Sequence, residues 1–166
     1  MASKSSSDPH RSNGEAENHY KILGWNLIIS ALVMYLAMFS MIDGVPDFFN
    51  NLNMFYMMLI MVAPMGILML WTMRSMYDSR KVNIALYAGF GLLFVAGYVF
   101  TREQTLVGDT QFLRSMIPHH SGAILMCREA QIKDPDVTSL CTRIIQSQKE
   151  EIEEMTSILS RIKSRT

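Results

Sequence analysis

The sequence predicts an all-α membrane protein with three spanning helices and a helical hairpin beyond the lipid. Three long apolar runs without a charged side chain occupy residues 22–42, 54–73 and 82–100. The remaining C-terminal third is charged and repeats its apolar residues at helical spacing. An Asp134-Pro135 pair divides that third into two helical segments.

The three apolar runs are long enough to cross a membrane. They hold 21, 20 and 19 residues, and about 20 helical residues cross a hydrocarbon core of about 30 Å. The first run is too long for a cleaved signal peptide, and a polar segment precedes it. That segment, residues 1–21, has too little apolar surface to fold, so we expect a disordered cytoplasmic tail. Residues 22–100 then form a transmembrane domain.

The distribution of basic residues predicts the orientation of the spans. Arg74, Arg80 and Lys81 lie between the second and third runs. The N-terminal tail carries Lys4, Arg11 and Lys21. Residues 43–53, between the first two runs, contain no Lys or Arg. Because cytoplasmic connections carry the excess of basic residues, we expect the N-terminus in the cytoplasm and the hairpin in the periplasm or its equivalent. The protein is then a multi-pass protein of a bacterial cytoplasmic membrane.

The hairpin is predicted over residues 109–163, after a linker over residues 101–108. Its first helix should run to about Lys133, and its second should begin after an Asp134 cap with Pro135 as first residue. Antiparallel neighbours then have numbers that sum to about 268. The expected apolar stripe of the first helix is Phe112, Met116, Ala123, Cys127 and Ala130. That of the second is Val137, Leu140, Cys141, Ile144, Ile152, Met155, Leu159 and Ile162.

Polar side chains on these core faces indicate a site, since a buried polar group costs free energy unless it finds a partner. The register places Cys127 opposite Cys141 and His120 opposite Gln148. It brings together one set of residues from the two helices: Met116, His119, His120, Met126, Gln148, Glu151 and Met155.

The Met-x-x-His-His-x-x-x-x-x-Met pattern of residues 116–126, followed by Asp134-Pro135 and then by Gln148, Glu151 and Met155, resembles the domain of unknown function family 305. The resemblance covers about residues 109–162. It implies a ferritin-like helical fold, and some periplasmic members of that family bind copper through Met and His. It implies that one set of residues holds the metal: Met116, His119, His120 and Met126. It extends more weakly to Gln148, Glu151 and Met155, as groups that orient the imidazoles or as further ligands.

The donor set favours Cu(I), because thioether sulfur and neutral imidazole are soft ligands. Zinc held by His119, His120, Glu151 and a cysteine is the lesser possibility. The two cysteines have three readings: small core residues, a disulfide between Cys127 and Cys141, or thiolate ligands. An extracytoplasmic location permits the disulfide.

Methionines form a stripe along the second apolar run. Eleven of the fifteen methionines lie between Met34 and Met76. The stripe consists of Met54, Met58, Met61, Met65, Met69 and Met73, at intervals of three or four residues. Two readings stay open, because methionine is an adaptable packing residue and also a soft metal ligand.

Composition narrows the function. The C-terminal third has nine basic and nine acidic residues, so we expect no nucleic-acid binding. No phosphate loop, nucleophile elbow or His-Glu-x-x-His motif occurs, and we expect no enzyme.

The leading expectation is extracytoplasmic copper handling or resistance with an unidentified copper donor or acceptor. The alternatives are a metal-dependent redox enzyme and a structural oligomerisation module. Since two helices bury little core, we expect a homodimer or higher homo-oligomer that completes a four-helix bundle.

Overall fold

A computed structural model describes residues 9–165, and their side chains from residue 18 onward. Within these limits the chain is helical and contains no strand, which confirms the all-α class. The five helices are α1 (Pro9–Ala37), α2 (Leu52–Thr72), α3 (Arg80–Glu103), α4 (Asp109–Glu129) and α5 (Pro135–Lys163). Short 3-10 turns occupy Met38–Met41 and Val45–Asp47 between α1 and α2, and Arg74–Met76 before α3.

Three helical segments are long and apolar enough to cross a membrane, as the apolar runs predict. They are Asn18–Met41, Leu52–Thr72 and Arg80–Glu103. Pro64 lies inside α2 without ending it. The candidate spans of the structure therefore agree with the predicted ones to within a few residues at each end, whereas the side of the membrane on which each end lies stays a prediction.

Three predicted boundaries are wrong. Residues 9–21 belong to α1, because extending an existing helix costs far less than nucleating one; residues 1–8 of the predicted tail lie outside the described residues. Helix α3 continues to Glu103, which shortens the linker. Helix α4 ends at Glu129 instead of near Lys133, since residues 130–134 must turn the chain before α5.

Asp134 begins α5 as the sequence predicts. Its carboxylate Oδ1 accepts hydrogen bonds from the backbone N–H groups of Asp136 at 2.9 Å and Val137 at 3.1 Å. Pro135 follows as the first helical residue, where its missing N–H costs nothing. The cap therefore fixes the residue at which the second arm of the hairpin starts.

The chain divides into two compact units. The membrane unit comprises the described residues up to 34 together with residues 57–100, and the hairpin unit comprises residues 35–56 and 101 onward. The core of the membrane unit contains Leu23, Leu70 and Tyr77. In the same unit α2 and α3 pack closely at Gly66, where an added Cβ would lie 2.6 Å from the Phe90 ring.

In the hairpin unit, α4 is buried on a face that the predicted stripe misses. Phe112 is half exposed and Ala130 is exposed. The buried positions are Leu113, Ile117, Pro118, Ser121, Gly122 and Ile124. This face lies against the segment between α1 and α2, which we call the α1–α2 connection (residues 38–51). The prediction considered only α5 as a packing partner of α4, whereas α4 packs against both α5 and the α1–α2 connection.

Polar contacts hold the α1–α2 connection on α4. The Ser121 hydroxyl, fully buried, accepts from the Asp43 N–H at 2.7 Å and donates to Asp47 Oδ2 at 2.5 Å. The Asp43 carboxylate lies 2.6 Å from Arg128 Nη1. At Gly122, an added Cβ would come 3.1 Å from the Met41 carbonyl oxygen. The connection is therefore part of the hairpin unit and not a free loop.

Candidate functional site

The candidate site lies between α4 and α5, where a disulfide and an ion-pair contact fix the register. Cys127 and Cys141 are bonded, with Cα atoms 5.3 Å apart, so neither thiol is free in this state. Two turns before Cys127, His120 contacts Glu151 instead of the predicted Gln148. The pairs sum to 268 at the disulfide and 271 at the histidine. The predicted register is therefore confirmed at the disulfide, near the hairpin turn. At His120, two turns closer to the N-terminus of α4, the contact differs from the predicted one by three residues, nearly one helical turn.

His120 is an enclosed donor of the predicted set. Its side chain is 12% exposed, and its Nδ1 lies 3.0 Å from Glu151 Oε2. The other oxygen of Glu151, Oε1, accepts from the Ser147 hydroxyl at 2.9 Å. The His120 and Glu151 atoms are close enough for an ion pair but not at a hydrogen-bonding angle, so Nδ1 is buried without a hydrogen bond. The Glu151 carboxylate is therefore the polar neighbour of Nδ1, and Nε2 is the ring nitrogen that a metal could use.

The contact between His120 and Glu151 predicts that the two sulfur donors Met116 and Met155 lie opposite each other. Met116 precedes His120 by one helical turn, and Met155 follows Glu151 by one turn. Their numbers sum to 271, as those of His120 and Glu151 do. Both methionines are half-buried. Sequence reasoning gave Met155 only a subsidiary role, and the shifted register makes it a full member of the set.

His119 and Met126 lie on a different face of α4 from His120. At about 100° per residue, their directions differ from that of Met116 by about 60° and 80°, away from α5. His119 is exposed and Met126 is 55% exposed. The rings of His119 and His120 remain neighbours, with centroids 6.1 Å apart. The four predicted ligands therefore do not converge on one face: Met116 and His120 face α5, and His119 and Met126 face outward.

Gln148 is half-buried, and no hydrogen bond of its side chain is found among the described residues. Its predicted place opposite His120 is taken by Glu151, one turn later on the same face of α5. Within residues 18–165, no three His, Cys, Asp or Glu side chains come together as a metal site. A centre that uses a cysteine thiolate would first require reduction of the disulfide.

The methionine stripe of α2 does not form the packed face of that helix. The buried positions of α2 include Tyr56, Val62, Ala63 and Leu70. The stripe is rotated from them by about 100°. Four of its members, Met54, Met58, Met65 and Met69, are half-buried, whereas Met61 and Met73 are 44% and 38% exposed. The stripe therefore borders the packed face.

Sequence reasoning missed the polar contacts of Ser121, Asp43, Asp47 and Arg128. The hydrogen bond that Arg128 Nε donates to Glu129 and the nearby Asp43 carboxylate raise the pKa of Arg128. The available signal was the Ser121-Gly122 pair inside a helix, where small residues often mark the close approach of another segment. Two aspartates in a connection without basic residues were a second signal.

Comparisons with known proteins find one family and one relative that match this chain. The family model described as "Domain of unknown function (DUF305)" matches residues 101–163, which contain both helices of the hairpin. The "Uncharacterized protein L153" of Acanthamoeba polyphaga mimivirus is 35% identical over 136 residues, which cover 80% of this chain and 88% of that protein. No solved structure matches the chain.

Proposed function

The chain belongs to the DUF305 family, and on that premise we propose that it is a membrane-anchored copper-binding protein that holds Cu(I) between α4 and α5. His120, Met116 and Met155 are the proposed ligands, and His119 is a neighbouring fourth donor. Glu151 orients the His120 ring from the Nδ1 side, as carboxylates commonly do for metal-bound imidazoles.

The observation that carries the proposal is the condition of His120. Its Nδ1 is buried beside a carboxylate that Ser147 holds in place. Helical spacing puts one thioether, Met116, one turn before His120 and another, Met155, one turn after Glu151. Two sulfur donors and an imidazole suit Cu(I) better than the harder ions, which prefer oxygen ligands. A Cu(I) site with two thioether ligands and one imidazole does not require three His, Cys, Asp or Glu side chains in one place.

The disulfide supports an extracytoplasmic hairpin. Structural disulfides persist in oxidising compartments and are rare in the cytosol. Because the bond joins residues of the hairpin itself, it agrees with the orientation that the basic residues predict. We propose that the protein handles copper, or confers copper resistance, on that side of the membrane. The methionine stripe of α2 keeps its two readings, as adaptable packing and as a path for copper, and both stay predictions.

Copper analysis of the purified chain tests the site. With ascorbate, which keeps copper as Cu(I) without supplying a thiol, we expect about one Cu(I) per wild-type chain. We expect the His119→Ala/His120→Ala protein to lose it. His120→Ala alone should weaken binding by at least about tenfold, because an imidazole and its carboxylate partner are lost together. Stoichiometry is measured by elemental analysis after desalting, and affinity by competition with a Cu(I) chelator.

Met126→Ala is the matched control, since it removes an outward thioether of the same helix and should leave copper binding close to that of the wild type. Equal copper in the wild type and the double histidine variant would refute the assignment. Copper-dependent turnover of a redox substrate that disappears in His120→Ala would instead favour the metalloenzyme alternative.

We also propose that two copies of the chain pair through α5. No residue of this 29-residue helix is buried, although it carries a continuous apolar stripe, and Val137 and Leu140 are 43% and 47% exposed. Helix α4 packs against α5, so the part of the stripe that is open to a second copy is its start, at Val137 and Leu140. Since a ferritin-like bundle needs four helices and the chain supplies two, a second copy is the occupant that completes it.

Native mass spectrometry in mild detergent tests the pairing. We expect a dimer for the wild type and a monomer for Leu140→Glu, because a buried unpaired carboxylate costs several kcal/mol. Thr142→Glu introduces the same charge on the opposite face of α5 and should remain dimeric. A wild-type protein that is monomeric under these conditions contradicts the proposal.

A further inference from the structure

The hairpin unit contains a cavity that has no part in the proposed copper site. It lies between the first turns of α4 and the last turns of α5 and has a volume of about 470 Å³. This size falls in the range of small-molecule sites. Its walls are formed by Phe49, Thr110, Arg114, Thr156, Leu159, Ser160, Ile162 and Lys163.

The cavity wall is positively charged. Arg114 and Lys163 contribute to it, and no acidic side chain does. Among the described residues neither cation forms an ion pair. The Nε of Arg114 is buried and has no hydrogen-bond partner. An arginine held inside a protein without an acceptor leaves part of its hydrogen-bonding capacity unused, so an anion is the ligand this wall fits.

The rest of the wall is amphipathic. Thr110, Thr156 and Ser160 provide three hydroxyl groups that can donate to an anion. Phe49, Leu159 and Ile162 provide apolar surface beside them. A small inorganic anion would use the hydroxyls and cations but would leave the apolar wall uncovered. The combination therefore fits an anion that carries an apolar body.

The chain positions this cavity close to the ends of two candidate spans. Phe49 precedes the start of α2 at Leu52 by three residues, and Thr110 follows the end of α3 at Glu103 by seven. Because α2 and α3 run in opposite directions across a bilayer, the start of one and the end of the other emerge on the same side. Phe49 and Thr110 are therefore only a few residues of chain from the same side of a membrane, whichever way the protein is oriented.

We propose that this cavity binds the phosphate of an anionic phospholipid. Arg114 supplies a planar donor fork for the phosphate oxygens, and Lys163 supplies a second positive charge. The hydroxyls of Thr110, Thr156 and Ser160 complete the polar side. The apolar wall accepts the glycerol and the first methylenes of the acyl chains, whose remainder stays in the bilayer.

Binding of short-chain lipids to the full-length chain in detergent tests the proposal. The probes are dihexanoyl phosphatidylglycerol, dihexanoyl phosphatidylcholine and inorganic phosphate, with affinity read by microscale thermophoresis. We expect phosphatidylglycerol to bind at least about tenfold more tightly than the other two. Arg114→Gln should weaken phosphatidylglycerol binding by about tenfold, as expected for loss of charge-assisted hydrogen bonds. Lys163→Gln should weaken it by a smaller factor, because Lys163 is exposed.

Two further variants distinguish the effect of overall positive charge from the effect of the cavity volume. Arg161→Gln removes the same charge from an exposed position of α5 outside the cavity wall, and it should bind phosphatidylglycerol as the wild type does. Ser160→Trp keeps both cations and fills the cavity from an exposed position, and it should abolish binding. Circular dichroism melting identifies any variant that fails to fold. Lys163→Gln and Ser160→Trp change exposed residues, so we expect both proteins to fold and to test the site even if Arg114→Gln does not fold.

The outcomes are distinct. Inorganic phosphate that binds as tightly as phosphatidylglycerol would assign the cavity to a free anion and overturn the lipid assignment. Equal affinity for phosphatidylglycerol and phosphatidylcholine, or binding unchanged in folded Lys163→Gln and Ser160→Trp proteins, would overturn the site itself. Neither result depends on whether copper binds near His120.

Discussion

Replacing Ser121 with alanine should release the α1–α2 connection from α4. The hydroxyl is fully buried and satisfies two groups at once, the Asp43 N–H and the Asp47 carboxylate. Without it, both groups lose a partner in a part-buried place where water cannot fully replace it. Since a hydrogen bond to a charged group contributes about 1.5–3 kcal/mol and an unpaired buried group costs a similar amount, we expect a loss of about 3 kcal/mol.

Hydrogen–deuterium exchange over residues 38–51 measures this loss. A change of about 3 kcal/mol corresponds to exchange about 100-fold faster in the protected amides of the connection. Ser157→Ala is the control, because Ser157 is exposed on α5 and the same chemical change should leave exchange unaltered. Unchanged protection in Ser121→Ala would show that Arg128 and the apolar contacts hold the connection without the hydroxyl.

The double variant Cys127→Ser/Cys141→Ser should destabilise the hairpin by about 3 kcal/mol. The disulfide closes a loop with a sequence separation of 14 residues, and a cross-link over about 15 residues contributes about 3 kcal/mol by restricting the unfolded chain. The bond also holds α4 and α5 in register two turns from His120. We therefore expect the variant to bind Cu(I) more weakly, as the His120–Glu151 contact becomes less well defined.

The slowest-exchanging amides of α4 and α5 report the stability of this hairpin. We expect them to exchange about 100-fold faster in the double variant. Wild-type protein treated with a phosphine reductant should reproduce the variant, and the variant should not respond to the reductant. Identical exchange in oxidised and reduced wild type would mean that packing alone fixes the register.

Much of the fold follows from local sequence signals. The lengths of the apolar runs predict the three candidate spans, and the Asp134-Pro135 pair predicts the start of α5 with its cap. The facing positions of Cys127 and Cys141 also follow from the hairpin turn, because they lie only a few residues from it on each side. These features depend on residues close to one another in the chain.

Features that depend on distant residues could not be predicted in the same way. His120 contacts Glu151 instead of the predicted Gln148. This shift of three residues relative to the disulfide predicts that Met155 lies opposite Met116. The change accumulates over two turns of packing between α4 and α5. The second packing partner of α4 is the α1–α2 connection, whose sequence has no helical periodicity. The sequence therefore could not predict that Leu113, Ile117 and Ser121 form a buried face.

The hydrogen bonds of Ser121 join residues that are 78 and 74 positions apart in the chain. During synthesis the ribosome therefore makes Asp43 and Asp47 long before their partner exists. Both carboxylates must therefore remain without this partner at first, and the connection can dock only after two further candidate spans and most of α4 have been translated. Docking of this segment is thus a late event in biogenesis, and a chain interrupted before residue 121 would leave it without its anchor.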